Sequence, residues 1–227
     1  RPYMTYRPFL PEVVAGSVEP RHAVVSLRRH LRRTRVIAGR VVELNHGART
    51  ARLEPLEGEK YDLAYDTVVV SAGAVTRTFP IPGLIETGIG LKTVEEAAFL
   101  RDRLLGAFER AAGLPEGRDR RRLLTVTVVG GGFSGVEVFG EMLSLADSLL
   151  KRYPTLRRED VSFHLVEAAE RILPEVTDRP GRWVVRRLER RGAHVHLGAQ
   201  LVSATDGRVE LSDGAAWDDG ILVWTAG

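Results

Sequence analysis

One stretch of the chain leaves few folds open: Leu124-Thr125-Val126-Thr127-Val128-Val129-Gly130-Gly131-Gly132-Phe133-Ser134-Gly135-Val136-Glu137. An apolar, β-branched strand breaks into a glycine turn that opens a helix, which is how a dinucleotide-binding βαβ unit begins. Gly130 permits the sharp turn, Gly132 keeps side-chain atoms away from a pyrophosphate, and Gly135 lets the helix pack close to the strand it left. Gly131, Phe133 and Ser134 complete the loop, and the free N–H groups of the helix start favour phosphate. A glycine-rich strand end also occurs where nothing binds, so the flanking sequence has to decide. A helix is expected from Ser134 to about Arg152, with Val138, Met142, Leu145 and Leu149 in one stripe and Pro154 beyond its end. The next strand, Val161 to Val166, leads into Glu167. A carboxylate there suits both ribose hydroxyls and repels the extra phosphate of NADP, so NAD is the expected cofactor. Glu167 stands further from the glycines than the usual ~20 residues. The plainer reading makes it a solvated strand-end acid.

With 227 residues and 44% hydrophobic content, the chain can bury substantial cores as one large domain or two small ones. The formal charge is only +3. Basic runs such as Arg28-Arg29-His30-Leu31-Arg32-Arg33 and Arg118-Asp119-Arg120-Arg121-Arg122 lack interleaved aromatics, so they read as solvated surface, and no nucleic-acid partner is expected. The chain has no cysteine, which removes disulfides, thiolate metal sites and Cys nucleophiles within it but leaves the redox compartment open. No apolar run reaches membrane-spanning length, since Leu123 to Leu145 is interrupted by Glu137 and Glu141. The first residue is Arg1, no signal peptide is recognisable, and the chain is expected to be a piece of a longer one. His194 and His196 alternate on an expected strand, but without a third ligand they read as ordinary strand residues, and no metal is expected.

Towards the amino end, Arg21 to Arg33 reads as an amphipathic helix after Pro20. Three short strands, 35–44, 50–53 and 60–64, are then expected as a β-meander, with turns at Asn45-His46-Gly47 and Glu57-Gly58-Glu59. Tyr65 to Gly73 reads as a buried strand whose small-residue end permits either a ligand or close packing. Pro80, Pro82 and Gly83 mark a domain joint, and Thr93-Val94-Glu95-Glu96 carries a capping-box pattern for a helix to about Ala112. Pro180 to Arg191 reads as a helix, and strands are expected at 194–197, 209–211 and 221–224.

Several segments together resemble the two-dinucleotide-binding-domain flavoproteins, most of all the type II NADH:quinone oxidoreductases. They are Tyr6-Arg7-Pro8-Phe9-Leu10-Pro11-Glu12-Val13-Val14-Ala15-Gly16, Tyr65-Asp66 before Ser71-Ala72-Gly73, Ile81-Pro82-Gly83 before Gly90-Leu91-Lys92-Thr93, the glycine turn, and Trp224-Thr225-Ala226-Gly227. The resemblance implies an α/β fold in two parts. Residues 1–83 would be the carboxyl-side part of the first FAD-domain segment, a meander plus a parallel strand. Residues 84–227 would be the Rossmann-like NADH domain. It implies the cofactors FAD and NADH, with Val41 near the adenine of FAD, Ala72 and Gly73 near its centre, and Ala226 and Gly227 also among the cofactor-binding residues. The family often has Thr where Ala72 stands. Glu137 would lie near nicotinamide and flavin as the catalytic candidate, the alternative being simple compensation of the helix dipole.

The implied activity is electron transfer from NADH through flavin to a quinone, in a cytoplasmic protein peripheral on the inner face of the cell membrane; a homodimer is left open. The family's first glycine motif and its acidic flavin motif are expected outside the chain, with the quinone-site and membrane-attachment segments, so the fragment alone is expected to be inactive. Two other readings stay open: an NAD(P)H reductase of ferredoxin or rubredoxin, and a non-catalytic NADH/FAD redox sensor. Thiol-dependent NADH oxidases need a redox cysteine about where Phe9 to Glu12 stand, and its absence argues against them, whereas disulfide reductases place theirs further upstream and are only weakened.

Overall fold

A computed structural model of the chain describes residues 3–226. In order run β1 (Tyr3–Thr5), α1 (Leu10–Ala15), β2 (Val24–Ser26), α2 (Leu27–His30), β3 (Gly39–Asn45), β4 (Thr50–Pro55) and β5 (Tyr61–Ala64). There follow α3 (Leu84–Thr87), β6 (Gly88–Ile89), α4 (Val94–Ala112), α5 (Arg118–Leu123), β7 (Thr125–Val129), α6 (Phe133–Leu150), β8 (Ser162–Glu167), α7 (Asp178–Arg190) and β9 (His194–Leu197). Last come β10 (Leu201–Ser203), β11 (Arg208–Leu211), β12 (Ala216–Asp218) and β13 (Ile221–Trp224). Contacts divide these into two compact units, one of the chain up to Thr5 with Val24–Ala74, the other of Tyr6–Ala23 with everything from Val75 on. That division precedes the joint expected at Gly83 and sends the Tyr6–Ala23 segment to the second unit.

The first unit holds the expected meander, β3-β4-β5, antiparallel throughout, with an irregularity between Val41 and Glu43. Two expectations fail in it. Arg21 to Arg33 does not form one helix: the β-branched pair Val24-Val25 enters a strand that pairs antiparallel with β1, and only the single turn α2 follows. Local helix pattern yields there to a partner some twenty residues upstream. Tyr65 to Gly73 forms no strand, and Val69 and Val70 are 83% and 77% exposed. No described strand flanks that run, so its backbone has no ladder and its side chains no covered face.

In the second unit five parallel strands follow the order β6-β13-β7-β8-β9. β7 and β13 are buried along their whole length, as strands covered on both faces must be. Alternation sends Phe163 of β8 towards Phe139 of α6, where the rings meet edge to face at 5.7 Å. Val129, Val166, Leu222 and Trp224 join the opposite core, shared with Leu201, Val209 and Leu211 of the antiparallel sheet β10-β11-β12. α4 begins with the expected capping box, the Thr93 hydroxyl accepting from Glu96 N at 3.1 Å and Glu96 Oε2 from Thr93 N at 2.8 Å. The basic run before β7 is α5, and it is not wholly solvated. Arg120 is buried, donating to the carbonyls of Leu114 and Thr155 and pairing with Asp160 at 3.5 Å. Among the described residues no helix is long and apolar enough to cross a membrane.

Candidate functional site

At the carboxyl end of β7 the chain turns through Gly130, where φ is +116°, and enters α6 at its N-cap Gly132. A Cβ on Gly130 would lie 2.5 Å from Thr225 Oγ1, and one on Gly135 only 1.8 Å from the Gly130 carbonyl oxygen. Those glycines are required by packing of the turn against its own helix and against β13. Gly132 is different. A Cβ there would meet nothing nearer than Glu175 Oε1 at 3.8 Å, and φ is an ordinary −71°. The fold does not need a glycine at that position, whereas a phosphate close to the backbone does. No side chain caps α6 and no acid stands in its first turn, so the first-turn N–H groups and the positive end of an 18-residue helix remain open to an anion. Phe133 and Ser134 are exposed in that turn.

Glu167 ends β8 beside the turn. Its Oε2 accepts from Gly131 N at 2.6 Å and its Oε1 from Ala169 N at 2.8 Å, which fixes the carboxylate and leaves further lone pairs for ribose hydroxyls. The wide spacing from the glycines is taken up by the full length of α6 and the short turn Arg158–Asp160 that Arg120 anchors. Gly130, Glu167 and Ala226 line one crevice of about 480 Å³, with Phe79, Ile81 and Trp224 as its apolar walls. Trp224 Nε1 donates to the Arg77 carbonyl at 2.8 Å and its ring meets Phe79 edge to face at 5.8 Å. In the sequence Pro80, Pro82 and Gly83 read as a joint and Ile81-Pro82-Gly83 as a segment of the resemblance, and neither reading gave Phe79 or Ile81 a part in the site. Thr225 was also passed over: its Oγ1 lies 2.9 Å from the Val129 carbonyl it donates to, tying β13 to β7 at the mouth of the crevice.

Glu137 stands on the second turn of α6, so dipole compensation in the first turn does not account for it. Partial burial, and then the Glu12 carboxylate of α1, push its carboxyl above the ordinary range, and the same two causes raise Glu141 one turn on. Glu12 Oε2 is buried with no hydrogen-bond partner in the structure. Glu141 was legible as the i+4 neighbour of Glu137; Glu12 comes from a distant helix. Val41, Ala72 and Gly73 belong to the first unit and are exposed, Gly73 with φ +77°. Gly227 lies outside the described residues. His194 and His196 do share a face, together with His164 of β8 and Trp217 of β12: His164 Nδ1 is 3.1 Å from His196 Nε2, and His164 stacks on Trp217 at 3.9 Å. The described residues contain no group of three or more His, Cys, Asp or Glu arranged to hold a metal.

The pyridine nucleotide-disulphide oxidoreductase family model matches residues 1–227. Among curated relatives, the external alternative NAD(P)H-ubiquinone oxidoreductase B3 of Arabidopsis thaliana mitochondria is 31% identical over 244 aligned residues, covering 100% of this chain and 42% of the relative. The type II NADH:quinone oxidoreductase Ndh of Mycobacterium tuberculosis is 30% identical, covering 98% of this chain and 50% of the relative. The chain thus spans about half the length of the curated relatives it matches. Among solved structures, NDH2 from Plasmodium falciparum in complex with NADH superposes with a TM-score of 0.88 at 21% identity, covering 100% of this chain and 49% of that one. This is the fold of the two-dinucleotide-binding-domain reductases.

Proposed function

The chain belongs to the pyridine nucleotide-disulphide oxidoreductase family, and from that premise we propose that it is part of an FAD-dependent NADH dehydrogenase that passes electrons from NADH through flavin to a quinone. The observation that carries the nucleotide half of this reading is Gly132, which the fold leaves free to be larger and which stands at an uncapped helix start. The names of those relatives, a ubiquinone oxidoreductase and a quinone oxidoreductase, favour a quinone as acceptor.

In this reading the first-turn N–H groups of α6 hold the pyrophosphate, Glu167 accepts from the ribose hydroxyls, and Phe79, Ile81 and Trp224 exclude water from the crevice. Bound FAD would supply the ring that accepts a hydride from NADH, and this chain's own residues would bind and orient the nucleotide. Glu137, raised in proton affinity beside Glu12, holds or passes a proton at the nicotinamide end of the helix. Val41, Ala72, Gly73 and Gly227 serve FAD and the closing of the site. Peripheral attachment to the cytoplasmic face of a membrane and homodimer formation belong to the same proposal and fall to the whole protein.

The test uses the flavin-loaded whole protein. It is reduced anaerobically with NADH, and reoxidation is then followed with a soluble quinone and with ferredoxin. Fast reoxidation by quinone alone is expected; fast transfer to ferredoxin with a slow quinone reaction would move the protein to the ferredoxin reductases. Gly132→Val, whose Cβ meets nothing nearer than 3.8 Å, should keep the fold and abolish NADH binding by calorimetry, and unchanged affinity would sink the pyrophosphate assignment.

A further inference from the structure

A second cavity, of about 560 Å³, opens beside β6 and the amino ends of β7 and β13. The five residues of β7 separate it from the glycine turn by roughly 16 Å at ~3.3 Å per residue. Three guanidinium groups line it, those of Arg103, Arg122 and Arg208. Arg208 pairs at its Nε with Glu210 at 3.3 Å and lies 3.9 Å from Asp218, which Arg118 already holds through two hydrogen bonds of 2.5 and 2.9 Å. The Arg122 side chain makes no hydrogen bond or ion pair among the described residues, and the Arg103 side chain donates at 3.3 Å to the backbone carbonyl of Gly220. The spare donors at this end are therefore those of Arg122, together with the guanidinium N–H groups that Arg103 and Arg208 leave unused beside Gly220 and Glu210.

Its other wall is a face of α4. Glu96, Phe99 and Arg103 fall at i, i+3 and i+7, so an acid, an aromatic ring and a base stand in a row along ~10 Å of helix, all lining the cavity. Phe99 is 53% exposed on a helix that buries Leu100, Leu104 and Phe108. Glu86 adds a second carboxylate at the acid end. At the basic end the wall contains Asp219, whose bonding is ordered by donor and acceptor capacity. Trp217 Nε1 can only donate, and gives its hydrogen to Thr127 Oγ1 at 2.9 Å. Thr127 Oγ1 then donates to Asp219 Oδ1 at 2.6 Å, so any proton on Asp219 sits on Oδ2. Burial, opposed by that Thr127 bond and by Arg103, brings the Asp219 carboxyl up to about 7. Below about pH 7 the protonated Asp219 adds a donor to the basic end instead of cancelling an arginine.

We propose that this cavity is a second small-molecule site, taking a phosphomonoester of mononucleotide size: the phosphate on Arg103, Arg122 and Arg208, the base against Phe99, and its amino group towards Glu86 and Glu96. The volume lies in the range of ordinary ligand sites. Guanidinium groups suit phosphate oxygens, and an exposed ring suits a nitrogenous base. The site is independent of the glycine-turn crevice and stands or falls separately from it.

AMP is the probe, titrated by calorimetry into the full chain carrying Gly132→Val, so that the first crevice does not contribute. One AMP per chain is expected, with orthophosphate and adenosine each binding at least ~10-fold more weakly, the equivalent of about 1.4 kcal/mol. Arg122→Glu should abolish it. Arg103→Gln, on the exposed side of α4, should weaken it about tenfold without altering the melting temperature or, in the otherwise unaltered chain, the affinity for NADH. Absence of AMP binding in the Gly132→Val chain, or binding indifferent to Arg103→Gln, overturns the site. Orthophosphate binding as tightly as AMP overturns the nucleotide assignment.

Discussion

Val126-Thr127-Val128-Val129-Gly130 and Val68-Val69-Val70-Ser71-Ala72-Gly73 are nearly the same text, β-branched residues ending in small ones, and they meet opposite fates. The first is β7, buried throughout, with β13 on one side and β8 on the other. The second is irregular and exposed, with no ladder to either side. Intrinsic preference is equal in the two runs, so what separates them is supply of neighbours. β7 receives β8 through its own crossover helix and β13 from almost a hundred residues downstream; the run at 67–73 receives neither within this chain.

The largest test of that account is a charge in the middle of β7. Val128 is fully buried, so Val128→Asp should cost at least ~4 kcal/mol and leave no cooperative urea transition followed by circular dichroism. A variant that unfolds like the parent would mean that β7 is not the centre of the second unit.

The strand ends make the next comparison. Gly135→Ala drives a Cβ into the Gly130 carbonyl and should cost about 3 kcal/mol, since backbone on both sides has to move. Gly73→Ala, at an exposed residue with φ +77°, should cost the positive φ, ~1 kcal/mol. Equal urea midpoints for the two would show that the glycine turn is looser than its geometry.

These contrasts mark what could be read from sequence. The glycine turn, the capping box of α4 and the meander are local patterns whose residues lie within a few positions of one another, and they were legible. The helix expected at 21–33 failed because Val24-Val25 found Tyr3-Met4-Thr5. Arg120 was taken for surface because its acid, Asp160, is forty residues away. In the candidate site Glu167 was legible from strand order, but the apolar walls Phe79 and Ile81 and the carboxylate neighbour Glu12 depend on which segments fold back, and nothing local encodes that.

β7 also governs titration. Asp219, hydrogen-bonded to Thr127, is raised from an ordinary 3.8 to about 7, first by burial. The folded chain then keeps a proton that the unfolded chain has released, so this group's stability is full below pH 3.8 and is lost as pH rises towards 7. His164 acts oppositely: burial, then His194 and His196, lower it from 6.5 to about 3, so its contribution is present above pH 6.5 and is lost as pH falls towards 3. Asp219→Asn should therefore stabilise the chain at pH 8, by roughly 2 kcal/mol, and change little at pH 4. Parallel stability curves for parent and variant between pH 4 and 8 would remove the buried acid from the account.

The smallest expected effect is the strictest test of the comparison. Val69→Asp puts at 67–73 the same charge that destroys β7, on a side chain that is already mostly in water. Little apolar area is lost to solvent, no packed neighbour is left beside a charge, and no ladder bond is broken, so stability should move by less than ~0.5 kcal/mol with no new pH dependence near neutrality. A loss of several kcal/mol would show that Val69 is covered in solution and that the run has found neighbours within the chain after all. The two texts would then share one fate, and intrinsic preference would regain the weight that the contrast takes from it.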